Sequence, residues 1–313
     1  MKITHGFDQQ TDLADKRQAA QSARRHDFWR RKFWPIIGWC VYFFVAFIAS
    51  QCLVALVVLA LSRLFGFDAL HLSDPANALV DVALYALLLF LFVGLPIKFV
   101  PKIQRYFIAK RNKIANSDAL GTPKNQPAFG GGFLALTGLA RPPRWHDVGW
   151  TLYWWPLFYL ILIGAMMAAS ALFGAATMRQ TQTIAFTPTA SGAELIIIGL
   201  ALCVVTPIAE EILLRGFLLT KIRQCFGQPI VGTYQTWFGE SRVGDWLSAV
   251  IVSIVFALAH GQLNVGVMTF ILSMVNAHLR KRTGAIYSGI LLHAAVNFLA
   301  FGIRYLGFLH GLA

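Results

Sequence analysis

The chain has 313 residues, 57% hydrophobic and only 13% charged, with a mean hydropathy of +0.60. A soluble domain carries about 25% charged residues, so this composition excludes an ordinary soluble protein and points to an all-α, polytopic helical membrane bundle. The net charge of +13 would suggest nucleic acid in a soluble chain, but here Lys and Arg flank apolar runs, the pattern of loops facing anionic lipid, and no nucleic-acid partner is expected.

Residues 1–34 read as a basic cytoplasmic tail with a short helix over Asp12 to Gln21. Its end, Arg24-Arg25 and Arg30-Arg31-Lys32, abuts the first apolar run and places the N-terminus in the cytoplasm. That run is too long for the apolar part of a signal peptide. About seven transmembrane helices, or eight, are expected, at roughly 35–64, 78–100, 150–175, 193–219, 246–261, 265–279 and 284–303. The apolar runs are continuous rather than alternating, which excludes a barrel. The chain divides into the tail (1–34), two spans with a basic loop (35–149), a core (150–303) and a C-terminal tail (304–313).

The loops set the topology. Phe65 to Asn77 carries no Lys or Arg and belongs outside. Pro101 to Gly149 carries Lys102, Arg105, Lys110, Arg111, Lys113, Lys124, Arg141 and Arg144 and belongs inside. Its Gly130-Gly131-Gly132 lacks the ending of a phosphate-binding loop and reads as a linker. Trp145, Trp150, Trp154 and Trp155 suit the headgroup level. The nearly uncharged loop from Arg179 to Ser191 belongs outside; Lys221, Arg223 and Arg280-Lys281-Arg282 belong inside. Spans five and six are short, which suits a tilted or partly re-entrant pair. Cys40, Cys52, Cys203 and Cys225 form no C-x-x-C pair and imply neither a disulfide framework nor a zinc-thiolate site.

The fourth span holds Glu210, Glu211 and Arg215. Each such charge near a bilayer centre costs about 2.5–3.5 kcal/mol, roughly 7–10 kcal/mol for three. About fifteen Leu, Ile, Val and Phe in Leu195 to Leu219 return roughly 5–9 kcal/mol. The segment is near break-even, so its charges need partners inside a bundle. Glu211 and Arg215 stand at i and i+4 in the favourable order and read as a supporting ion pair. Glu210 points about 100° away with no local partner, a setting that suits a general base or acid. Pro207, one turn earlier, removes a backbone hydrogen bond and opens the helix there.

His260 ends span five, and His293 and Asn297 lie at i and i+4 in span seven. An imidazole and an amide on one face can ligate a metal or donate to a developing oxyanion. Helical rise puts Glu210 about 15 Å and His293 about 14 Å above the inner ends of their spans, with His260 deeper at about 22 Å. Asp81, just inside span two, reads as a snorkelling or paired residue, and Glu194 as solvated.

Glu210-Glu211-x-x-x-Arg215-Gly216, Phe256-x-x-x-His260 and His293-x-x-x-Asn297 resemble the three motifs of the CPBP family, the intramembrane proteases related to CAAX-prenyl endopeptidases and to bacteriocin-processing or immunity proteins. The resemblance covers roughly Trp150 to Phe301. Ser273 and Asn276 depart from the small residues usual in relatives, a difference that bears on helix packing. The resemblance implies an endopeptidase of a bacterial plasma membrane whose partners are lipid and a membrane-tethered peptide, prenylated or not. It implies that Glu210 with His260 activates water, that His293 and Asn297 stabilise the oxyanion, and that Glu211 and Arg215 support the site. A divalent metal such as zinc on Glu210, His260 and His293 and a metal-free mechanism are both open; no H-E-x-x-H motif occurs. The competing readings are a non-proteolytic scaffold or immunity protein of the same fold, and a transporter with a proton relay through Glu210 and the histidines.

Overall fold

The computed structural model of the protein describes residues 32–99, 133–178, 190–226 and 242–309. The expected tail helix at 12–21 and the Gly130–Gly132 linker lie outside them. The described residues are helical and contain no strand. The helices are α1 (Trp34–Phe65), α2 (Asp74–Phe99), α3 (Phe133–Thr137), α4 (Trp145–Phe173), α5 (Ala175–Met178), α6 (Gly192–Cys225), α7 (Arg242–Ala259), α8 (Leu263–Thr283) and α9 (Tyr287–Leu309). Local chemistry sets the ends. Pro35 and Pro75 stand in first turns, where a missing N–H costs nothing. Gly66 and Gly284 close α1 and α8 in the left-handed conformation. Ser191 and Glu194 cap α6 reciprocally.

By length and composition α1, α2, α4, α6 and Tyr287–Gly307 of α9 suit a membrane crossing. The other two expected spans also fall on helices, but α7 is shorter and α8 more polar. The reason is position. α8 packs on α4, α6, α7 and α9 and buries Thr269, Ser273, Asn276, Arg280 and Thr283. A helix enclosed by protein does not need an apolar circumference. By contrast α1 turns Leu56, Val57 and Leu64 outward, as a lipid-facing helix would.

Polar clamps gather one end of the bundle. Asp245 on α7 takes Arg223 of α6 at 2.9 Å and Lys281 of α8 at 2.7 Å. Asp147 on α4 accepts two bonds from Arg141 and one from Ser288 of α9. Lys221 lies over the Trp39 ring of α1. This end, with Arg141, Arg144 and Arg280-Lys281-Arg282, is the basic end.

Within α2 and α6 three segments widen into π turns: Phe90–Gly94 in α2, and Ala201–Val205 and Glu211–Leu218 in α6. A wide turn disturbs the carbonyl ladder, and in hydrocarbon a freed carbonyl needs a protein donor. Each segment receives one from another helix. Tyr42 of α1 donates to the Leu91 carbonyl, Asn297 of α9 to that of Leu202 at 2.8 Å, and Arg280 of α8 to that of Gly216 at 3.0 Å.

Candidate active site

Glu210 and Glu211 sit where α6 passes from an α-helical turn into its longer π segment. Glu211 points into the bundle and is 0% exposed. Its Oε1 lies 3.0 Å from Arg215 Nη1, accepts from Asn276 Nδ2 at 2.9 Å and meets His293 Nδ1 at 3.1 Å. Arg215, 1% exposed, also lies over the Phe256 ring at 4.7 Å. Two opposite charges thus share one dry cluster, which is the arrangement that makes buried ions tolerable. Gly289 permits it: a Cβ there would stand 3.1 Å from Glu211 Oε2.

Glu210 points the other way, into a cavity of about 390 Å3. It is not without a partner: Tyr85 of α2 donates its hydroxyl to Glu210 Oε1. His293 Nε2 lies 3.5 Å from Glu210 Oε2, so the imidazole bridges the two carboxylates. It meets both as a donor only when both ring nitrogens carry hydrogen.

His260 follows the last turn of α7. Its Nδ1 stands 2.9 Å from the Phe256 carbonyl. A carbonyl only accepts, so Nδ1 carries the hydrogen and the neutral ring keeps its lone pair on Nε2. The depth difference between His260 and Glu210 disappears because α6 runs to Cys225 rather than ending near 219. Measured from the Arg223–Asp245 clamp, Glu210 stands about 20 Å and His260 about 22 Å up their helices. Glu210, His260, His293 and Asn297 all line the one cavity.

Asn297 differs from its expected role in one respect: one amide hydrogen is committed to the Leu202 carbonyl. Backbone register explains the choice. Thr206 N–H reaches Ala201 across the wide turn, so the next donor in that register, residue 207, would serve Leu202. Residue 207 is proline and has no N–H. The second Asn297 hydrogen is the one that can serve a ligand.

Among the described residues no group of three or more His, Cys, Asp or Glu is arranged to hold a metal ion. Glu210, His260 and His293 share the cavity, but Glu210 and His293 face each other.

The motifs did not reveal Tyr85, which lies in a span outside the family resemblance; its only local signal is the i, i+4 pairing with Asp81 in an apolar helix. Nor was Asn276 read for what it does. It is no packing substitution, since it donates to Glu211 and to the Gly289 carbonyl. Arg280, taken as part of an inner-loop charge cluster, is buried and donates to Gly216 and Thr220. Asp81 is exposed and lines the cavity.

These features define an all-helical, polytopic protein with a buried carboxylate–histidine site opening on a cavity within the bundle. Residues 192–299, about a third of the chain, match the family model described as Rce1-like, type II CAAX prenyl endopeptidase. The chain thus carries an Rce1-like domain, consistent with a CPBP family intramembrane protease, and this supports intramembrane endopeptidase activity on a membrane-associated protein in general terms. No curated protein and no solved structure matches the chain.

Proposed function

We propose that the protein hydrolyses a peptide bond of a membrane-tethered substrate in this cavity, with Glu210 as general base. Glu210 takes a proton from a cavity water while that water's oxygen bonds to the carbonyl carbon. His260 Nε2 accepts the water's other hydrogen and fixes its orientation. The carbonyl oxygen becomes an oxyanion facing His293 Nε2–H and the second Asn297 hydrogen. Collapse breaks the carbon–nitrogen bond, and the departing amine takes the proton from Glu210. Products are a carboxylic acid and an amine. Glu211, Arg215 and Asn276 do not touch substrate in this scheme; they hold His293.

The observation that carries the reading is the convergence of Glu210, His260, His293 and Asn297 from α6, the end of α7 and α9 on one cavity. Glu210→Gln tests it, because the amide keeps the shape and an acceptor for Tyr85 but cannot take the proton. General-base loss costs about 10²–10⁴-fold in rate. Peptides released from membranes holding native or Glu210→Gln protein at matched levels are compared by mass spectrometry. Peptides with new C-termini should appear with the native protein alone. Identical sets, with both proteins folded, would overturn the reading in favour of a non-proteolytic scaffold.

A further inference from the structure

The cavity lies to one side of Glu210. The clamps at Asp245 and Asp147 bind the basic end, and no residue from them lines the cavity. Past Glu210, α6 continues 18 residues to Gly192, about 27 Å. The α7–α8 hairpin does not follow: it turns at His260–Gln262, level with Glu210. Among the described residues the bundle above that turn lacks these two walls, and the cavity, walled at the level of the turn and below it by Val265, Met268, Thr269 and Leu272 of α8, opens into this space. Its lining climbs from Glu210 past Leu202 and Ile198 on α6 to Asn77 and Asp74 in the first turns of α2. Asn77 is exposed. The mouth therefore stands beside the segment Phe65 to Asn77, which has no Lys or Arg, at the end opposite the basic one.

Charge gives the mouth a side of the membrane. Short loops rich in Lys and Arg stay in the cytoplasm, and the basic end carries the loop Pro101 to Gly149 and the N-terminal tail. The lining itself has Asp74, Asp81 and Glu210, and among the described residues no Lys or Arg. A chain end bearing a free carboxylate would meet Asp74 and Asp81 on its way in, with no Lys or Arg of the lining to offset them.

We propose that the cavity is entered from the non-cytoplasmic face, and that its substrate is a membrane-tethered peptide displayed there whose entering segment is neutral or basic. The inference rests on the reading of the cavity as the peptide site. It sets the protein apart from an enzyme that receives a carboxylate-ended prenyl peptide from the cytoplasm.

Cysteine accessibility in intact cells tests the side of entry without reference to cleavage. In full-length protein with Cys40, Cys52, Cys203 and Cys225 replaced by alanine, single cysteines are introduced as Asn77→Cys at the mouth and Pro143→Cys at the basic end. Leu70→Cys, 88% exposed in the native chain, repeats the mouth measurement should Asn77→Cys not accumulate. A membrane-impermeant maleimide is added before or after lysis. The expected result is near-complete labelling of the mouth cysteine in intact cells, with Pro143→Cys labelled only after lysis. Labelling of Pro143→Cys alone in intact cells, or of the mouth cysteine only after lysis, overturns the proposal. The Glu210→Gln peptide comparison then fails or succeeds separately, since labelling does not depend on turnover.

Discussion

Replacing Arg215 with methionine isolates the electrostatics beneath the site. Methionine fills similar volume and keeps apolar contact with Phe256, but removes the only cation within 3.0 Å of Glu211 among the described residues. Glu211 is 0% exposed, so water cannot replace the lost partner, and Asn276 and His293 alone must hold it. Breaking a buried pair by removing one partner costs about 3–5 kcal/mol, whereas removing both charges is often near neutral. Arg215→Met should therefore destabilise the protein by about 3–5 kcal/mol. Glu211→Gln should cost a similar amount, because a fully buried guanidinium is left over Phe256 without its counter-ion. The double variant should cost only about 1–3 kcal/mol, since the amide introduced at position 211 still offers its carbonyl to Asn276 and His293. With each single change at about 4 kcal/mol and the double at about 2 kcal/mol, the cycle yields a coupling of about 6 kcal/mol, larger than the ~0.5–3 kcal/mol usual for contacting residues because each single change leaves a bare buried charge. Reversible unfolding of purified protein in mixed micelles, with native and three variant proteins compared, gives the four energies. Additive effects, with coupling below about 0.5 kcal/mol, would refute the claim that Glu211 and Arg215 neutralise each other.

Tyr85→Phe removes the hydroxyl on Glu210; a hydrogen bond to a charged group is worth about 1.5–3 kcal/mol, so the variant should unfold that much more readily in the same assay while insertion is unchanged. Gly216→Ala drives a methyl into the Thr137 backbone and should cost about 1–3 kcal/mol, whereas Gly302→Ala, where a Cβ meets nothing within 4 Å, should leave the unfolding midpoint unchanged. Asn297→Leu leaves the Leu202 carbonyl unpaired and should cost about 1–3 kcal/mol. Adding Pro207→Ala restores an N–H in register and should recover most of that stability without recovering peptide release; a double variant no more stable than the single one would refute the register argument.

The helical bundle was legible because apolar run length is nearly sufficient to define a helix in a membrane. So was the pairing order of Glu211 and Arg215, since four-residue spacing keeps two side chains on one face in either kind of turn. The contacts from helices distant in sequence were not legible. Tyr85 lies 125 residues from Glu210, and an isolated Tyr in an apolar helix reads equally well as an interfacial residue. Arg280 shared a run with Lys281 and Arg282, and composition treats the three alike. Only the packing shows that the first is buried, the second paired with Asp245 and the third exposed over Trp150. The end of α6 was set too early because Lys221 and Arg223 looked like the start of a loop. They are the last turns of the helix, their charges held by Trp39 and Asp245, and those six further residues bring His260 level with Glu210.

The π turns connect the buried charges to the proposed chemistry. An unbroken α-helix would keep the Leu202 and Gly216 carbonyl bonds inside α6, and the carbonyl left bare by Pro207 would be that of Cys203 instead. With the turns present, Arg280 and Asn297 each tie their helix to α6 through one carbonyl, one turn below and two turns above the glutamates. The Arg280 tie also runs through Thr220, which accepts from Arg280 Nη2 and donates to Gly216 at 2.6 Å each. His293 lies one turn before Asn297 on α9, so the bond that fixes Asn297 also sets how far His293 stands from Glu210. The same side chain that satisfies a membrane-buried backbone thereby positions the imidazole. This is a reason for loss of Asn297 to reduce turnover even when Pro207→Ala restores the backbone bond: the carbonyl regains a donor, but α9 loses its hold on α6 and His293 its fixed place beside Glu210.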